Sequence, residues 1–206
     1  IVGAQVPIGT GIAFTHKYNG EKNICRTYIG DGAMNNGQVF EAFNLAALWK
    51  LPVLYIIENN KYGMGTSVNR SSAGENLSDR GKAYGIKSEI VDGMDVIAVR
   101  DAAIKAIEYC RSGKGPYILE MNTYRYRGHS MSDPARYRTR DEVEQIRKNS
   151  DPIENIKMLL NKLGVNDENL KSVDTQIKAV IADAAKFAQE SPEPPSSELF
   201  NDVTIN

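Results

Sequence analysis

Two apolar segments joined by an amphipathic stretch constrain the fold of this chain more than any other feature. Residues 23–29 alternate β-forming side chains, and residues 53–58 (VLYIIE) are apolar enough for a strand buried on both faces. Between them, apolar residues recur at helical spacing from Asn36 to Lys50. A strand, a helix and a second strand within so short a segment form a βαβ unit, in which the two strands are parallel.

A small polar cluster follows each strand of this unit. Gly30-Asp31-Gly32 ends the first strand, Asn59-Asn60 ends the second, and 26 residues separate the two clusters. The carboxyl ends of parallel strands meet at one edge of a sheet, which is where open α/β sheets bind ligands. The sequence therefore predicts a parallel α/β unit with both clusters at its binding edge.

The residue types in these clusters suit a magnesium ion held against a diphosphate, because magnesium prefers oxygen ligands and few protein groups. Asp31 can supply a carboxylate, the second amide, Asn60, a neutral oxygen, and Tyr62 a backbone carbonyl. Gly30 and Gly32 would let the backbone approach the diphosphate closely, and the following helix would point its N-terminus at the anion. Alternatively, the clusters are two turns that flank a helix and a strand.

The rest of the chain predicts further α/β elements. The first elements are a closely packed N-terminal helix, a long loop over 61–82 and short strands at 86–91 and 96–99. A helix from an Asp101 N-cap to about Ser112, a strand after Pro116 and a polar loop over 127–140 follow. The last elements are a helix from Asp151 to Gly164 and a helix from about Val173 to Gln189. We expect an α/β core over 1–149, including the loop at 127–140, and a C-terminal helical extension and tail over 150–206.

Composition limits the classes of partner and compartment. The 206-residue chain has a formal net charge of −1 and two cysteines. This charge gives no reason to propose nucleic acid or a membrane surface as partner, and no apolar stretch reaches the ~18 to 20 residues of a membrane span. Two lone thiols fit a reducing compartment. Because Ile1 begins in mid-pattern, we expect the C-terminal part of a longer protein.

Five segments make the sequence resemble a known family. The two polar clusters at their separation match the thiamine-diphosphate motif, and the text around them resembles the alpha subunits of the pyruvate dehydrogenase first component. The matching segments are IVGAQVPIGTGIA (1–13), GDGAMNNGQVFEAFNLAALWKLPVLYIIENNKYGMGTS (30–67), VDGMD (91–95), RSGKGPYILEMNTYRYRGHSMSDP (111–134) and YRTRDEV (137–143). The resemblance covers essentially the whole chain. It implies the family's thiamine-diphosphate-binding α/β fold, a doubly wound, mostly parallel sheet with C-terminal helices.

The resemblance also implies a reaction and partners. It implies thiamine diphosphate and Mg²⁺ bound between an alpha and a beta subunit of an α2β2 heterotetramer, with the beta subunit supplying the carboxylate that activates the cofactor. Pyruvate would be decarboxylated oxidatively, and lipoyl domains of the dihydrolipoyl acetyltransferase core would receive the acetyl group, giving acetyl-CoA in the full complex. A bacterial cytoplasm is the expected location, with the mitochondrial matrix as the alternative.

Particular residues take roles from the resemblance. The matching metal ligands are Asp31, Asn60 and the Tyr62 carbonyl, and the matching cofactor-lining positions are Val2, Gly32 and Ala33. His129 matches a loop histidine that reaches the active site, where it would hold the cofactor diphosphate or assist acyl transfer to lipoyl. By residue type alone, His129 is either a solvated side chain or a proton carrier near neutrality, and the arginines between Arg125 and Arg140 suit an anionic substrate.

One departure from the family pattern and two alternatives accompany the resemblance. Ser130 matches the main phosphorylation site of mitochondrial relatives, where a phosphate would repel the anionic cofactor. However, Ala135-Arg136-Tyr137 departs from the pattern of those relatives. This departure argues against phosphoregulation and favours a bacterial source. One alternative is a branched-chain 2-oxo acid dehydrogenase alpha subunit, although HSMSDP (129–134) differs from the HSTSDD typical of that family. The other alternative is a non-catalytic assembly subunit of the same fold.

The family pattern extends further toward the N-terminus than Ile1, and that part includes contacts to the diphosphate. We therefore expect the 206-residue chain to fold as an α/β core that binds the cofactor weakly or not at all when alone. Calorimetric titration with magnesium and thiamine diphosphate measures this directly. Tight binding by the isolated chain, in the micromolar range, would contradict the expectation.

Overall fold

The strand–helix–strand unit forms as expected in the computed structural model, which describes residues 2–201. The two strands, β1 (Cys25–Gly30) and β2 (Val53–Asn59), are parallel neighbours joined through α2 (Gly37–Leu48). All residues of β2 except Glu58 are buried, because the strand has a neighbour on each side and helices over both faces. The apolar character of this segment is thus explained by its position in the sheet.

The main sheet has four strands in the described part of the chain, and all of them are parallel. In spatial order they are β1, β2, β6 (Tyr117–Asn122) and β5 (Lys87–Asp92). The register pairs Gly30 with Glu58, and it pairs Asn122 with both Asn59 and Asp92. The four strands therefore end at one edge. The prediction of a doubly wound parallel sheet with both polar clusters at that edge is confirmed.

Alternate residues of β2 face opposite sides of the sheet. Tyr55 and Ile57 belong to an apolar cluster with residues of α1 (Gln5–Tyr18) and α2, while Leu54 belongs to a second cluster with residues of α4 (Val96–Arg111). Each cluster buries one face of the strand. Burial of these apolar side chains on both faces is the main favourable contribution to the stability of this unit.

Close packing of α1 on β1 depends on a glycine. A Cβ atom at Gly9 would collide with the hydroxyl of Thr27. The small residues of the N-terminal helix predicted such an approach, and the contact between α1 and β1 confirms it. A larger residue at position 9 would push the helix away from the strand that leads to Asp31.

The prediction of a long loop over residues 61–82 is wrong in part. This segment contains a short antiparallel hairpin, β3 (Tyr62–Gly63) with β4 (Thr66–Ser67), then α3 (Val68–Ser71), and a 3-10 helix from Leu77 to Tyr84. Polar composition concealed two buried anchors, Val68 and Leu77, which hold the segment against the core. Because apolar positions are so sparse there, no periodicity could be read from the sequence.

Two predictions about α4 are wrong. Residues 96–99 are its first turn rather than a strand, and its N-cap is Asp95 rather than Asp101. One carboxylate oxygen of Asp95 accepts hydrogen bonds from the backbone N–H groups of Ile97 (2.9 Å) and Ala98 (3.1 Å). The capping energy and the continuation of an amphipathic helix override the β propensity of Val96-Ile97-Ala98-Val99.

The C-terminal part of the chain is helical, and one of its α-helices was not predicted. The helices are α5 (Arg140–Ser150), α6 (Pro152–Lys162) and α7 (Asp167–Glu190), followed by a 3-10 helix from Ser196 to Phe200. The unpredicted α5 is capped by Thr139, whose hydroxyl accepts from the N–H of Glu142. The predicted start of α6 is confirmed, since Asp151 accepts from the N–H of Ile153.

Residue contacts group the chain into two compact units, with Asn155 the last residue of the first and Ile156 the first of the second. The predicted boundary between an α/β core over 1–149 and a C-terminal extension over 150–206 stays a prediction. No helix between residues 2 and 201 has the length and apolar character needed to cross a membrane.

The corrected cap of α4 predicts unequal effects of two aspartate substitutions. Asp95→Ala removes the acceptor for two backbone N–H groups and should lower the free energy of unfolding by about 1 kcal/mol. Asp101→Ala removes only an exposed ion pair with Arg100 and should change it by less than about 0.5 kcal/mol. Urea unfolding followed by circular dichroism measures both. Equal losses would contradict the assignment of Asp95 as the cap.

Candidate functional site

A buried carboxylate stands at the end of β1. Asp31 opens a 3-10 helix that ends at Asn35, and only 3% of its surface is exposed. Its Oδ2 atom is buried and has no hydrogen-bond partner within the described residues. Burial raises the pKa of Asp31, while nearby backbone N–H groups, including that of Asn60, and the charge of Arg125 oppose the rise. A buried acceptor without a donor is a position that a cation can fill.

The second cluster offers two neutral oxygens beyond the end of β2. The side-chain oxygen of Asn60 accepts from the N–H of Tyr62 at 3.3 Å. One guanidinium nitrogen of Arg125 donates both to this amide oxygen, at 3.4 Å, and to the carbonyl of Tyr62, at 3.2 Å. Because one donor reaches both oxygens, the two predicted neutral ligands lie close to each other.

Asn59 faces away from these oxygens. Only 2% of its surface is exposed, and its amide group donates to Glu120 at 2.7 Å. Its side-chain oxygen accepts from the N–H of Lys61 at 3.1 Å. The choice of Asn60 over Asn59 as a ligand stays a prediction, and the orientation of Asn59 favours it.

The first cluster and β3, which follows the second cluster, approach each other through glycine backbones. A Cβ atom on either Gly32 or Gly63 would lie 3.2 Å from the Cα atom of the other residue. Side chains at both positions would therefore push β3 away from the 3-10 helix that begins at Asp31. The spacing of the sequence clusters thus corresponds to a real contact between the two segments.

Arg125 is a component of this site whose contacts the sequence did not predict. Besides Asn60 and Tyr62, its guanidinium donates to the carbonyl of Met64 at 2.7 Å and contacts the hydroxyl of Tyr137 at 2.9 Å. Sequence reasoning placed Arg125 only among arginines suited to an anion. Tyr62 and Met64 lie in a hairpin that was itself predicted as loop, and Tyr137 lies in a separate polar loop, so no local signal could have found these contacts.

His129 is connected to the site through its backbone. Its imidazole is exposed and forms no hydrogen bond within residues 2–201, whereas its N–H donates to Asp133 at 2.7 Å. This N–H, together with that of Ala135 and the Tyr137 hydroxyl, lowers the pKa of Asp133 to about 2. Since Tyr137 also contacts Arg125, the loop that carries His129 is linked to the two neutral oxygens.

The remaining predicted positions lie around these groups. Ala33 is buried in the 3-10 helix that begins at Asp31. The carbonyl of Val2 accepts from the side chains of Asn36 and Gln38 at 2.8 and 3.3 Å, which places it beside the N-terminus of α2. Ser130 is exposed and its hydroxyl contacts that of Ser132. The expectation that Ser130 is not a regulatory phosphorylation site stays a prediction.

The donor set fits magnesium better than a transition metal. Within residues 2–201, no three His, Cys, Asp or Glu side chains converge on one point. One carboxylate with an amide and a backbone carbonyl is instead the hard, mostly neutral set that leaves coordination positions for phosphate oxygens and water. Asp31, Asn60 and Tyr62 therefore fit a magnesium ion that arrives with a diphosphate.

Comparison with known proteins identifies the family of this chain. The family model described as "Dehydrogenase E1 component" matches residues 1–197. The chain belongs to this family. It is 57% identical over 206 residues to the pyruvate dehydrogenase E1 component subunit alpha of Rhizobium meliloti, and 52% identical over 205 residues to that of Zymomonas mobilis. It is 54% identical over 212 residues to the somatic mitochondrial form of Bos taurus.

These alignments cover the whole of this chain but only part of each relative. The covered share is 59% of the Rhizobium protein, 58% of the Zymomonas protein and 53% of the bovine protein. The chain thus spans little more than half the length of these relatives. The family resemblance expected from the sequence motifs is confirmed.

The opposite pKa shifts of two aspartates predict opposite effects on stability. Folding raises the pKa of Asp31. The ionised form of Asp31 therefore destabilises the folded chain once the pH exceeds the pKa that this carboxyl has in the unfolded chain. Folding lowers the pKa of Asp133, so its ionised form stabilises the chain, and this contribution is lost as the pH falls toward about 2. At pH 7, Asp31→Asn should therefore raise the thermal midpoint of the metal-free chain, and Asp133→Asn should lower it.

Scanning calorimetry of both variants at pH 7 and at pH 4 measures these shifts. The gain from Asp31→Asn should shrink at pH 4, where the wild-type carboxyl is more fully protonated. A lower midpoint for Asp31→Asn at pH 7 would show that the ionised carboxylate is already satisfied without a metal.

Proposed function

We propose that this chain carries the alpha-subunit half of a pyruvate dehydrogenase that depends on thiamine diphosphate and Mg²⁺. It would decarboxylate pyruvate oxidatively and pass the acetyl group to lipoyl groups. The observation that carries the proposal is the buried, unpartnered Oδ2 of Asp31. The backbone N–H of Asn60 and the charge of Arg125 both act on this carboxyl group, and Arg125 contacts the oxygens of Asn60 and Tyr62. Membership in the dehydrogenase E1 component family supports it.

In this proposal, the metal joins the two polar clusters to the diphosphate. Asp31 supplies the single full negative charge, and Asn60 and the carbonyl of Tyr62 supply neutral oxygens. Metal binding would give the orphaned carboxylate oxygen its partner and so recover the cost of burying it. Gly32 and Ala33, directly after Asp31, would line the diphosphate with backbone rather than with long side chains.

The N-terminus of α2 adds a second element that suits an anion. Asn36 occupies its N-cap position, but the Asn36 side chain donates to the carbonyl of Val2 and does not cap the helix. The first N–H groups of α2 therefore lack a side-chain acceptor, and with the helix dipole they favour a negative group. This arrangement supports the predicted position of Val2 beside the cofactor.

The residues of this chain would then hold and orient the metal and the diphosphate. Thiamine diphosphate, when bound, supplies the electron sink for decarboxylation. His129, on the exposed loop linked to Arg125 through Asp133 and Tyr137, would hold a diphosphate oxygen or move a proton at a ring nitrogen during acyl transfer. Arg125 would keep the loop next to the metal ligands.

The complete activity would require partners. A beta subunit would complete the cofactor pocket in an α2β2 heterotetramer and supply the carboxylate that activates the cofactor. The lipoyl domain of the dihydrolipoyl acetyltransferase core would take the acetyl group. Residues 150–206 would form an extension to the catalytic core. Bacterial relatives support a bacterial cytoplasm as the location, and mitochondrial relatives keep the mitochondrial matrix as the alternative.

Activity of the full-length protein with its beta subunit tests the proposal. Pyruvate-dependent reduction of an artificial electron acceptor should require both Mg²⁺ and thiamine diphosphate, and 2-oxoisovalerate should be a much poorer substrate. Asp31→Asn removes the charged ligand, so the loss in kcat/KM should exceed the ~10–100-fold typical of losing an outer contact of a metal site.

Asp183→Asn, which removes the same charge from the exposed face of α7, is the matched control and should keep full activity. A preference for 2-oxoisovalerate would favour the branched-chain alternative. Full activity of Asp31→Asn would instead indicate a non-catalytic assembly subunit and overturn the proposal.

A further inference from the structure

Glu120 is a buried carboxylate in the middle of the sheet, outside the set of predicted site residues. It belongs to β6, and only 1% of its surface is exposed. Both of its oxygens are satisfied: Oε1 accepts from the side-chain amide of Asn59 at 2.7 Å, and Oε2 accepts from the backbone N–H of Ser78 at 2.8 Å. Burying a carboxylate is costly, and these two hydrogen bonds offset part of that cost.

The contact with Asn59 leads directly to the neutral oxygens of the site. With its amide nitrogen fixed on Glu120, Asn59 must direct its oxygen to the N–H of Lys61. Lys61 has a backbone φ of 74°, which residues other than glycine adopt only under constraint. This constrained turn carries Asn60 on one side and Tyr62 on the other. Glu120 therefore sets the orientation of the segment that presents both oxygens.

The contact with Ser78 leads to the other half of the site. Ser78 lies in the 3-10 helix from Leu77 to Tyr84, and two residues later Arg80 donates to the carbonyl of Met34 at 2.6 Å and to the side-chain oxygen of Asn35 at 2.9 Å. Met34 and Asn35 end the 3-10 helix that begins at Asp31. The pKa of Arg80 is lowered by burial, and the charge of Glu120 opposes that shift.

We propose that Glu120 is a positioning residue that sets the separation between Asp31 and the Asn60–Tyr62 oxygens. It holds the turn at Lys61 through Asn59 and acts on the segment of Asp31 through the helix that carries Ser78 and Arg80. The inference rests on the proposed function, because it assigns the spacing to the magnesium site. Magnesium demands nearly ideal octahedral geometry with ligands at about 2.0–2.1 Å, so a small shift of either segment should weaken binding. Contacts behind the ligands of a metal commonly control its affinity in this way.

The chemistry of the two contacts explains why a carboxylate is needed. Both partners are N–H donors, so the residue at position 120 must offer two acceptors at once. Glutamine has nearly the same shape but only one acceptor oxygen. Its amide nitrogen would therefore meet either the amide of Asn59 or the N–H of Ser78, donor against donor.

This donor–acceptor pattern allows a rescue experiment. Glu120→Gln alone places two donors together, and Asn59→Asp alone places two carboxylates together. In the double variant, the amide of Gln can donate to Asp while its oxygen accepts from Ser78, and the other Asp oxygen still accepts from Lys61. The double variant therefore restores every contact without changing the net charge.

The measurement is the affinity for Mg²⁺, by calorimetry in the presence of thiamine diphosphate, of the full-length protein with its beta subunit. Glu120→Gln and Asn59→Asp should each weaken binding by about 10–100-fold, and the double variant should recover most of the loss. Glu58→Gln is the matched control, because it removes the same charge from the exposed side of the neighbouring strand and should bind as the wild type does.

Several results would overturn the inference. Wild-type affinity in Glu120→Gln would show that the contacts do not control the site, and a double variant no better than the single ones would show that the hydrogen-bond pattern is not the cause. If the single and double variants all fail to fold, Glu120 serves the fold rather than the spacing. If the unmodified protein does not bind Mg²⁺ with thiamine diphosphate, the proposed function fails first, and the inference fails with it.

Discussion

Parallel pairing of β2 with both β1 and β6 is the constraint on which the rest of this structure depends. A central strand that is parallel to both neighbours places all the strand ends at one edge. Asp31 and Asn60 are far apart in the sequence, yet each follows a strand of this sheet, so both must emerge on the same side. The connecting helices cover the faces, which leaves that edge as the place where polar groups can gather.

Two buried carboxylates, Asp31 at this edge and Glu120 within β6, illustrate opposite uses of the same chemical group. Glu120 has a donor for each oxygen and contributes order, whereas Asp31 keeps one oxygen without a donor and contributes an available charge. An unsatisfied buried acceptor costs free energy, and a rigid framework is what allows the chain to retain it. The satisfied carboxylate and the unsatisfied one are therefore parts of one arrangement.

The sequence predicted those features that depend on local pattern. The apolar run of β2 and the helical period of α2 were sufficient for the parallel unit, and the unit placed Asp31 and Asn60 together. Local pattern failed where a single polar contact decides the outcome, as at Asp95, which starts α4 ahead of Asp101. It could not reveal Glu120 at all, because the partners of that side chain are 61 and 42 residues away in the chain.

The strand order also determines when the site can form during synthesis. β6 is the last of the four strands to be made, yet it lies between β2 and β5. Until it emerges from the ribosome, one edge of β2 has no partner and the turn after Asn59 has no carboxylate to hold it. Such non-local pairing is slow, and an open strand edge invites association with other chains. The nascent protein thus passes through a stage in which its polar clusters are complete but their arrangement must wait for one later strand.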